Sequence, residues 1–411
     1  MSSHRSNYYS SSVILLTQLF YPEMISTGQT MTELAEELVR QGVTVDVICG
    51  PPTVTQPASC PPKKMTYNGI SIHRVWGTQF PKLNFLGKLI NQLTFALGVI
   101  IFLLTHRVSS PIIVNTNPPF LAWICALFRR LGGPKFIYLV FDIYPDTAIE
   151  CGVLSRKGVT VQIWRLINKW TYKYSQKIIT IGRCMSERIR PELNNTSLHK
   201  LYETHIWADD SLLSSTQTDT FRPEWGLQDK FVVLYSGNMG RFHDMETIMD
   251  AAALLNNNTN IQWVFVGDGY QKQWCQNYVT SRSLSNCHFY PYVDKSELPK
   301  LLATADVGLV SLNPSQWGLS VPSKAIGLMA ASRPTIAVMP PKSEIAQLIT
   351  QYHCGYVVPN GNSTILARGI TQLYDSPDTA KKMGQNARQL INTSHTLYHT
   401  GKFFKKSLYF P

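Results

Sequence analysis

Apolar runs of strand length alternate with amphipathic stretches along almost the whole chain, and no other feature limits the fold so tightly. The runs fall at residues 13–17, 43–49, 112–115, 136–141 and 177–181 in the first half. In the second half they fall at 231–236, 261–266, 306–311 and 335–338. Strand patterns separated by helix patterns predict parallel, doubly wound sheets, because a parallel pair needs a crossover that a helix supplies. A chain of 411 residues is too long for one such unit and fits two of about 200 residues each. The expected architecture is α/β, with two Rossmann-like domains whose parallel sheets face each other across a cleft. A polar, irregular stretch marks the break, giving a first domain at 1–208, a linker at 209–229 and a second domain at 230–411.

Two loops carry the phosphate-binding chemistry. In the first, the strand 231–236 breaks into Gly237-Asn238-Met239-Gly240-Arg241, and a helical pattern with Asp244 at its start follows. Strand, tight turn and helix bring backbone amides against a diphosphate. Gly237 and Gly240 do not fit the dinucleotide spacing G-x-G-x-x-G, which argues against a redox cofactor. Gly267-Asp268-Gly269 ends the next strand and is positioned to close around the same ligand. In the second loop, Val321-Pro322-Ser323-Lys324 leads into a small-residue helix and then an apolar strand. Ser323 and Lys324 at that helix start are expected to face a donor phosphate. Ordinary helix capping and a solvated lysine are the competing reading.

Gly28 follows the first strand, where a missing side chain lets a loop approach a ligand across the cleft or simply permits a tight turn. Asp142 and Asp146 follow a buried-type strand, at the sheet edge where open α/β folds bind ligands. Either carboxylate is placed to orient an acceptor hydroxyl or take its proton, Asp142 being favoured; capping or a structural ion pair is the alternative.

The net charge of +12 admits nucleic acid, an anionic membrane or an acidic substrate. Basic residues occur only in small clusters and no nucleic-acid motif accompanies them, so no nucleic-acid partner is expected. The segment 86–107 favours a membrane: its uninterrupted apolar part, 95–104, is about half of the roughly 20 residues a span requires. A peripheral interfacial helix with basic flanks is expected there, with a buried core helix as the open alternative. The eight cysteines form no C-x-x-C pair and no zinc-spaced cluster, and the first residues lack an apolar core of signal-peptide type. A cytoplasmic protein with reduced thiols is expected.

Together these motifs resemble a known family. Leu19-Phe20-Tyr21-Pro22-Glu23 with Thr27-Gly28, Thr116-Asn117-Pro118-Pro119 and Asp142-Ile143-Tyr144-Pro145-Asp146 span the first half. Ser236 to Gly240, Val321 to Lys324 and Ser343-Glu344-Ile345-Ala346 span the second. In this order they resemble family 4 glycosyltransferases of the GT-B fold, of the bacterial colanic acid, O-antigen and capsule type. The resemblance implies transfer of a sugar from a nucleotide-sugar donor to a polyprenyl-diphosphate-linked or oligosaccharide acceptor, with retention and without a metal or other cofactor. It implies a donor site in the second domain, formed by Gly237, Asn238, Gly240, Gly267, Asp268, Gly269, Ser323, Lys324 and Glu344, with Gly28 approaching it from the first domain. Lys324 and Arg241 would stabilise the leaving diphosphate, and Asp142 would act on the acceptor hydroxyl. Asn117 and Asp146 would contact the acceptor in the first domain. The last helix would return toward the first domain, and the protein would sit on the inner face of the cell membrane.

The family pattern is not complete. Leu319 and Gly327 stand where the wider family has two glutamates with seven residues between them, and Asn238 and His243 stand nearest its usual arginine and lysine; His243 reads as an exposed loop residue. A GT-B nucleotide-sugar epimerase and a silent binding protein for an anionic polymer are the alternatives, and fold alone does not separate them.

Overall fold

A computed structural model describes residues 12–23, 27–53, 61–80, 85–214 and 219–409. The first sheet contains β1 (Ser12–Leu16), β2 (Thr44–Cys49), β3 (Lys64–Tyr67), β4 (Ile70–Arg74), β5 (Ile112–Asn115), β6 (Phe136–Val140), β7 (Lys177–Thr180) and β8 (Leu201–Glu203). Their order is β3-β4-β2-β1-β5-β6-β7-β8, parallel except for the β3–β4 hairpin. The second sheet contains β9 (Phe231–Ser236), β10 (Ile261–Val266), β11 (Cys287–Tyr290), β12 (Val307–Ser311), β13 (Thr335–Val338) and β14 (Gly355–Val358). Its order, β11-β10-β9-β12-β13-β14, is parallel throughout. Strand order therefore reverses between β1 and β5 in one sheet and between β9 and β12 in the other. Those reversals leave a crevice beyond the carboxyl ends of the strands, where ligands of open α/β sheets bind.

The inner strands are apolar on both sides because helices cover both faces. β6 and β10 are buried at every position, and Trp263, Phe265 and Tyr235 are wholly enclosed. The strands that sequence periodicity does not reveal, β3, β4, β8, β11 and β14, are short, and all of them lie at or next to a sheet end without a continuous buried run.

Two crossings tie the halves together. After the helix Pro377–Ser394 the chain passes Ala208, whose N–H donates to His395 O (2.9 Å). The last helix, Leu397–Tyr409, then packs on the first helix, Thr27–Arg40. Lys177 Nζ donates to Ser407 O (3.0 Å), which joins the last helix to the start of β7.

The helix Phe85–Thr105 is neither a free interfacial helix nor a buried one. One face is embedded in the first domain: Phe95, Val99 and Leu103 enter the core. Asn91 holds the preceding loop, accepting from Phe80 N (2.9 Å) and donating to Phe80 O (2.9 Å). The opposite face carries Leu86, Leu89, Leu93, Leu97, Ile101 and Leu104 in contact with solvent. By length and composition it could cross a membrane, yet its packed face fixes it along the sheet.

Candidate active site

The carboxyl ends of β9 and β10 form two turns that stack on each other. Gly237 N donates to Val266 O (2.8 Å) and Met239 N to Asp268 O (2.8 Å). This stacking explains two glycines. A Cβ on Gly267 would lie 2.3 Å from Gly237 O, and one on Gly269 would lie 2.4 Å from Asn238 Oδ1; both have positive φ, 134° and 144°. Asp268 serves the turn, its Oδ1 accepting from Gly269 N (2.8 Å). Asp244 caps the helix Met245–Leu254 by accepting from Thr247 N (3.1 Å).

Lys324 stands over this double turn. Its Nζ donates to Tyr235 Oη (2.9 Å) and to Asn238 O (3.2 Å) and lies 4.1 Å from the centroid of the Tyr235 ring. Burial of the ammonium lowers its pKa to about 7, so the site holds a cation whose charge is poised to be fixed by an anion. The helix behind it, Lys324–Ala330, is only two turns long. Positive charge at this spot therefore rests on the lysine rather than on a long helix dipole, a correction to the expectation from sequence. Ser323, exposed beside it, caps that helix with no side-chain hydrogen bond.

His243 is half-buried rather than exposed. Gly240 N donates to its Nδ1 (3.1 Å), and burial, with the neighbouring Lys324 charge, pushes its pKa down to about 4. A neutral imidazole holding the loop is the result. Arg241 is exposed, and its guanidinium lies 3.6 Å from the Tyr270 ring centroid.

Asp142 follows the carboxyl end of β6 in the first domain. Thr116 Oγ1 accepts from the Phe141 and Asp142 amides (both 3.2 Å), holding the end of β6 against the end of β5. Ile143 N donates to Leu319 O (3.1 Å), which brings Asp142 against the loop leading to Lys324. Among the described residues no hydrogen bond or ion pair engages the Asp142 carboxylate. Burial raises its pKa to about 6, with Lys88 opposing, which suits a group that takes a proton near neutrality. The Cys151 thiol is pushed up by burial first, with Arg241 and Lys88 opposing and Asp142 adding to the rise.

Four expected ligands are otherwise engaged. Asp146 pairs with Arg165 (3.1 Å) and lies 4.0 Å from Arg188, so its carboxylate fastens a short helix instead of facing the cleft. Glu344, 3 % exposed, accepts from Arg183 N (2.6 Å) and Arg183 Nε (3.2 Å) and pins the two domains together. At Gly28 the space a Cβ would fill is already taken by Glu23 O, 2.2 Å away, so the local turn requires the glycine. Asn117 sits at the reversal between β1 and β5, its N–H donating to Asn115 Oδ1 (2.9 Å) and its side chain to Thr27 Oγ1 (3.3 Å).

Between the domains lies a cavity of about 840 Å³. Gln29 and Trp207 line it from one side, Gly237, Tyr292, Lys295, Ser323 and Lys324 from the other. Lys295 closes one wall, bonded to Asp209 (2.9 Å) and Glu33 (3.3 Å). Periodicity and motif reading do not reveal Gln29, Tyr235, Lys88 or Lys295, and Thr116, though part of a motif, carries no assigned role in the sequence. Only the position of Tyr235, one residue before the end of a strand that opens a glycine turn, gives a local signal.

Residues 27–195 match the family described as glycosyl transferase 4-like domain, and residues 217–390 match glycosyl transferases group 1. This chain is a family 4-type glycosyltransferase. It is 28% identical over 291 residues, 70% of its length and 71% of the relative's, to a Pseudomonas aeruginosa protein named "Probable glycosyltransferase WbjE". It is 24% identical over 343 residues, 80% of its length and 83% of the relative's, to WcaI of Escherichia coli K12, named for a colanic acid biosynthesis glycosyl transferase. Among solved structures it resembles Anabaena HepE in complex with UDP-glucose, with a TM-score of 0.71 and 14% identity, covering 97% of this chain and 99% of that one. At that identity the likeness establishes the GT-B fold. Within this glycosyltransferase the two replaced glutamate positions differ in setting: Leu319 is fully enclosed, whereas Gly327 lines the cavity.

Proposed function

We propose that the enzyme moves a sugar from a nucleotide-sugar donor to a lipid-linked acceptor during assembly of a cell-surface polysaccharide. In this reading it works with retention and without a divalent metal, resting peripherally on the cytoplasmic face of the membrane. The observation that carries it is the interdomain cavity with the half-buried Lys324 on its wall, together with the Asp142 carboxylate, which lies outside the cavity lining but next to Ile143, whose N–H joins the loop that leads to Lys324. The names of WbjE, WcaI and the UDP-glucose complex of HepE support the substrate class.

As the bond from the anomeric carbon to the diphosphate breaks, its electron pair leaves with the phosphate, and Lys324 and Arg241 offset the growing charge. The donor's own phosphates favour the charged lysine, so the cation is complete when it is needed. Asp142 takes the proton of the acceptor hydroxyl as its oxygen bonds to the anomeric carbon. The exposed leucines of Phe85–Thr105 support a membrane contact next to Lys88 and Asp142.

Thermal shift of the purified chain against UDP-, GDP-, ADP- and TDP-sugars tests the donor, since a ligand of the folded state raises its stability. One nucleotide is expected to act selectively, and transfer to a lipid-diphosphate acceptor should give a retained anomer and persist in EDTA. Silence toward every donor in the presence of acceptor lipid would favour the binding-protein alternative, and epimerised sugar formed without acceptor would favour the epimerase.

A further inference from the structure

Far from the cleft, at the amino ends of β6 and β7, a recess of about 820 Å³ is lined by Arg129, Arg130, Lys135, Lys173, His199 and Lys200, with no acidic residue in its lining. Their bonds are to neutral partners: Arg129 Nη1 to Gly133 O (3.0 Å), Arg130 Nη1 to Tyr174 Oη (3.2 Å) and Lys200 Nζ to Lys173 O (2.7 Å). Among the described residues none of these Arg and Lys side chains pairs with a carboxylate. So dense a group of unneutralised cations repels itself and is relieved by an anion.

The surroundings of the recess identify the source of that anion. The connections β4 to β5, β5 to β6 and β6 to β7 all step in the same direction across the sheet. Right-handed crossovers therefore put the helices Phe85–Thr105, Leu121–Arg130 and Val159–Tyr174 on one face. That face is apolar where solvent should meet charge. Besides the leucine stripe of the first helix, Leu127, Leu131, Val159, Ile163 and Leu166 are exposed. The three helices contain no Asp or Glu, and they end near His106 and Arg107, at Arg129 and Arg130, and at Lys173. Helices antiparallel to their strands bring those basic ends to the edge that holds the recess. An apolar face bordered by cations, without anions, complements a bilayer bearing negative headgroups.

We infer that the recess binds the phosphate of an anionic phospholipid headgroup and anchors the three-helix face on the membrane. This rests on the peripheral membrane contact proposed above and extends it to a defined headgroup site. Flotation of the full chain is the test, with vesicles of phosphatidylcholine alone or mixed with phosphatidylglycerol; neither donor nor acceptor is needed, so the result is independent of the transfer reaction. The wild type is expected to float with the mixed vesicles, and Arg130→Gln, Lys135→Gln and Lys173→Gln combined should weaken that binding about 100-fold. Thermal shift by the nucleotide-sugar should be unchanged in this variant, which establishes that it folds. Binding of the variant equal to wild type would overturn the inference, as would equal wild-type binding to both vesicles. Displacement by millimolar inorganic phosphate would reassign the recess to a free anion, and a stable dimer that shields the three-helix face would reassign the face to a second copy of the chain.

Discussion

Replacing Lys324 with Met keeps most of the side-chain volume and removes only the ammonium. The Tyr235 hydroxyl still donates to Asn238 O (3.0 Å), so the glycine turn keeps its own bond and the fold should hold. An ammonium about 4 Å from a phosphate charge contributes about 4 kcal/mol at an effective dielectric constant near 20. At pH 8, one unit above its pKa of about 7, the lysine must first take up a proton, which costs about 1.4 kcal/mol. The remainder, about 2.6 kcal/mol, corresponds to a roughly 80-fold loss of donor affinity in Lys324→Met. Below pH 7 the proton is already present and the loss should approach its full value. The advantage of wild type over variant should therefore shrink as pH rises from 7, by up to about tenfold per unit. Calorimetric titration of the selected nucleotide-sugar between pH 6 and 9, in buffers of different ionisation heat, reads both affinity and proton uptake. Uptake of nearly one proton at pH 8 is expected in wild type and none in the variant. Equal affinities at pH 6, or the same pH slope in both proteins, would refute the reasoning.

Asp142→Asn should lower kcat by roughly 10²–10⁴ with donor affinity intact. In wild type the rate should fall as pH drops through about 6, where the carboxylate gains its proton, and this limb should vanish in the variant. Glu344→Gln leaves Arg183 without its buried counter-charge and should cost about 1–3 kcal/mol in a denaturant titration, with donor affinity unchanged. Gly267→Ala should abolish the donor-induced thermal shift, because the new methyl group would meet Gly237 O at 2.3 Å.

All nine apolar runs read from the sequence are strands, because a parallel strand buried on both faces must be apolar along its whole length. The β3–β4 hairpin has a turn signal, Asn68-Gly69 with φ of 47° and 78°, but its flanking strands are short and partly polar, so periodicity does not mark them. For the site, loop motifs locate what is local, such as Gly237, Gly269 and Lys324. Partnerships between distant residues are not written in any motif. Glu344 beside Ser343 reads as a helix-start carboxylate, but its partner Arg183 lies 161 residues away. Asp146 likewise looks like Asp142 until Arg165 and Arg188, on separate helices, arrive beside it.

The two missing glutamates follow from the same distinction. Leu319 is 0 % exposed and its carbonyl receives Ile143 N (3.1 Å), so its side chain fills the seam between domains near Asp142. A carboxylate there would be taken fully out of water, at a cost of several kcal/mol, and would raise the Asp142 pKa further by repulsion. At Gly327 a Cβ would meet Leu212 and Leu302 at 3.6 Å, an ordinary contact on the cavity wall. Gly327→Glu should therefore fold normally and change only how donors bind. Leu319→Glu should lower the thermal midpoint and shift the acid limb of the rate profile above pH 6. If Leu319→Glu instead folded as well as Gly327→Glu and kept the wild-type limb, the seam would not be the dry contact that Leu319 and Ile143 describe, and the donor loop would owe its apolar residue to something other than domain packing.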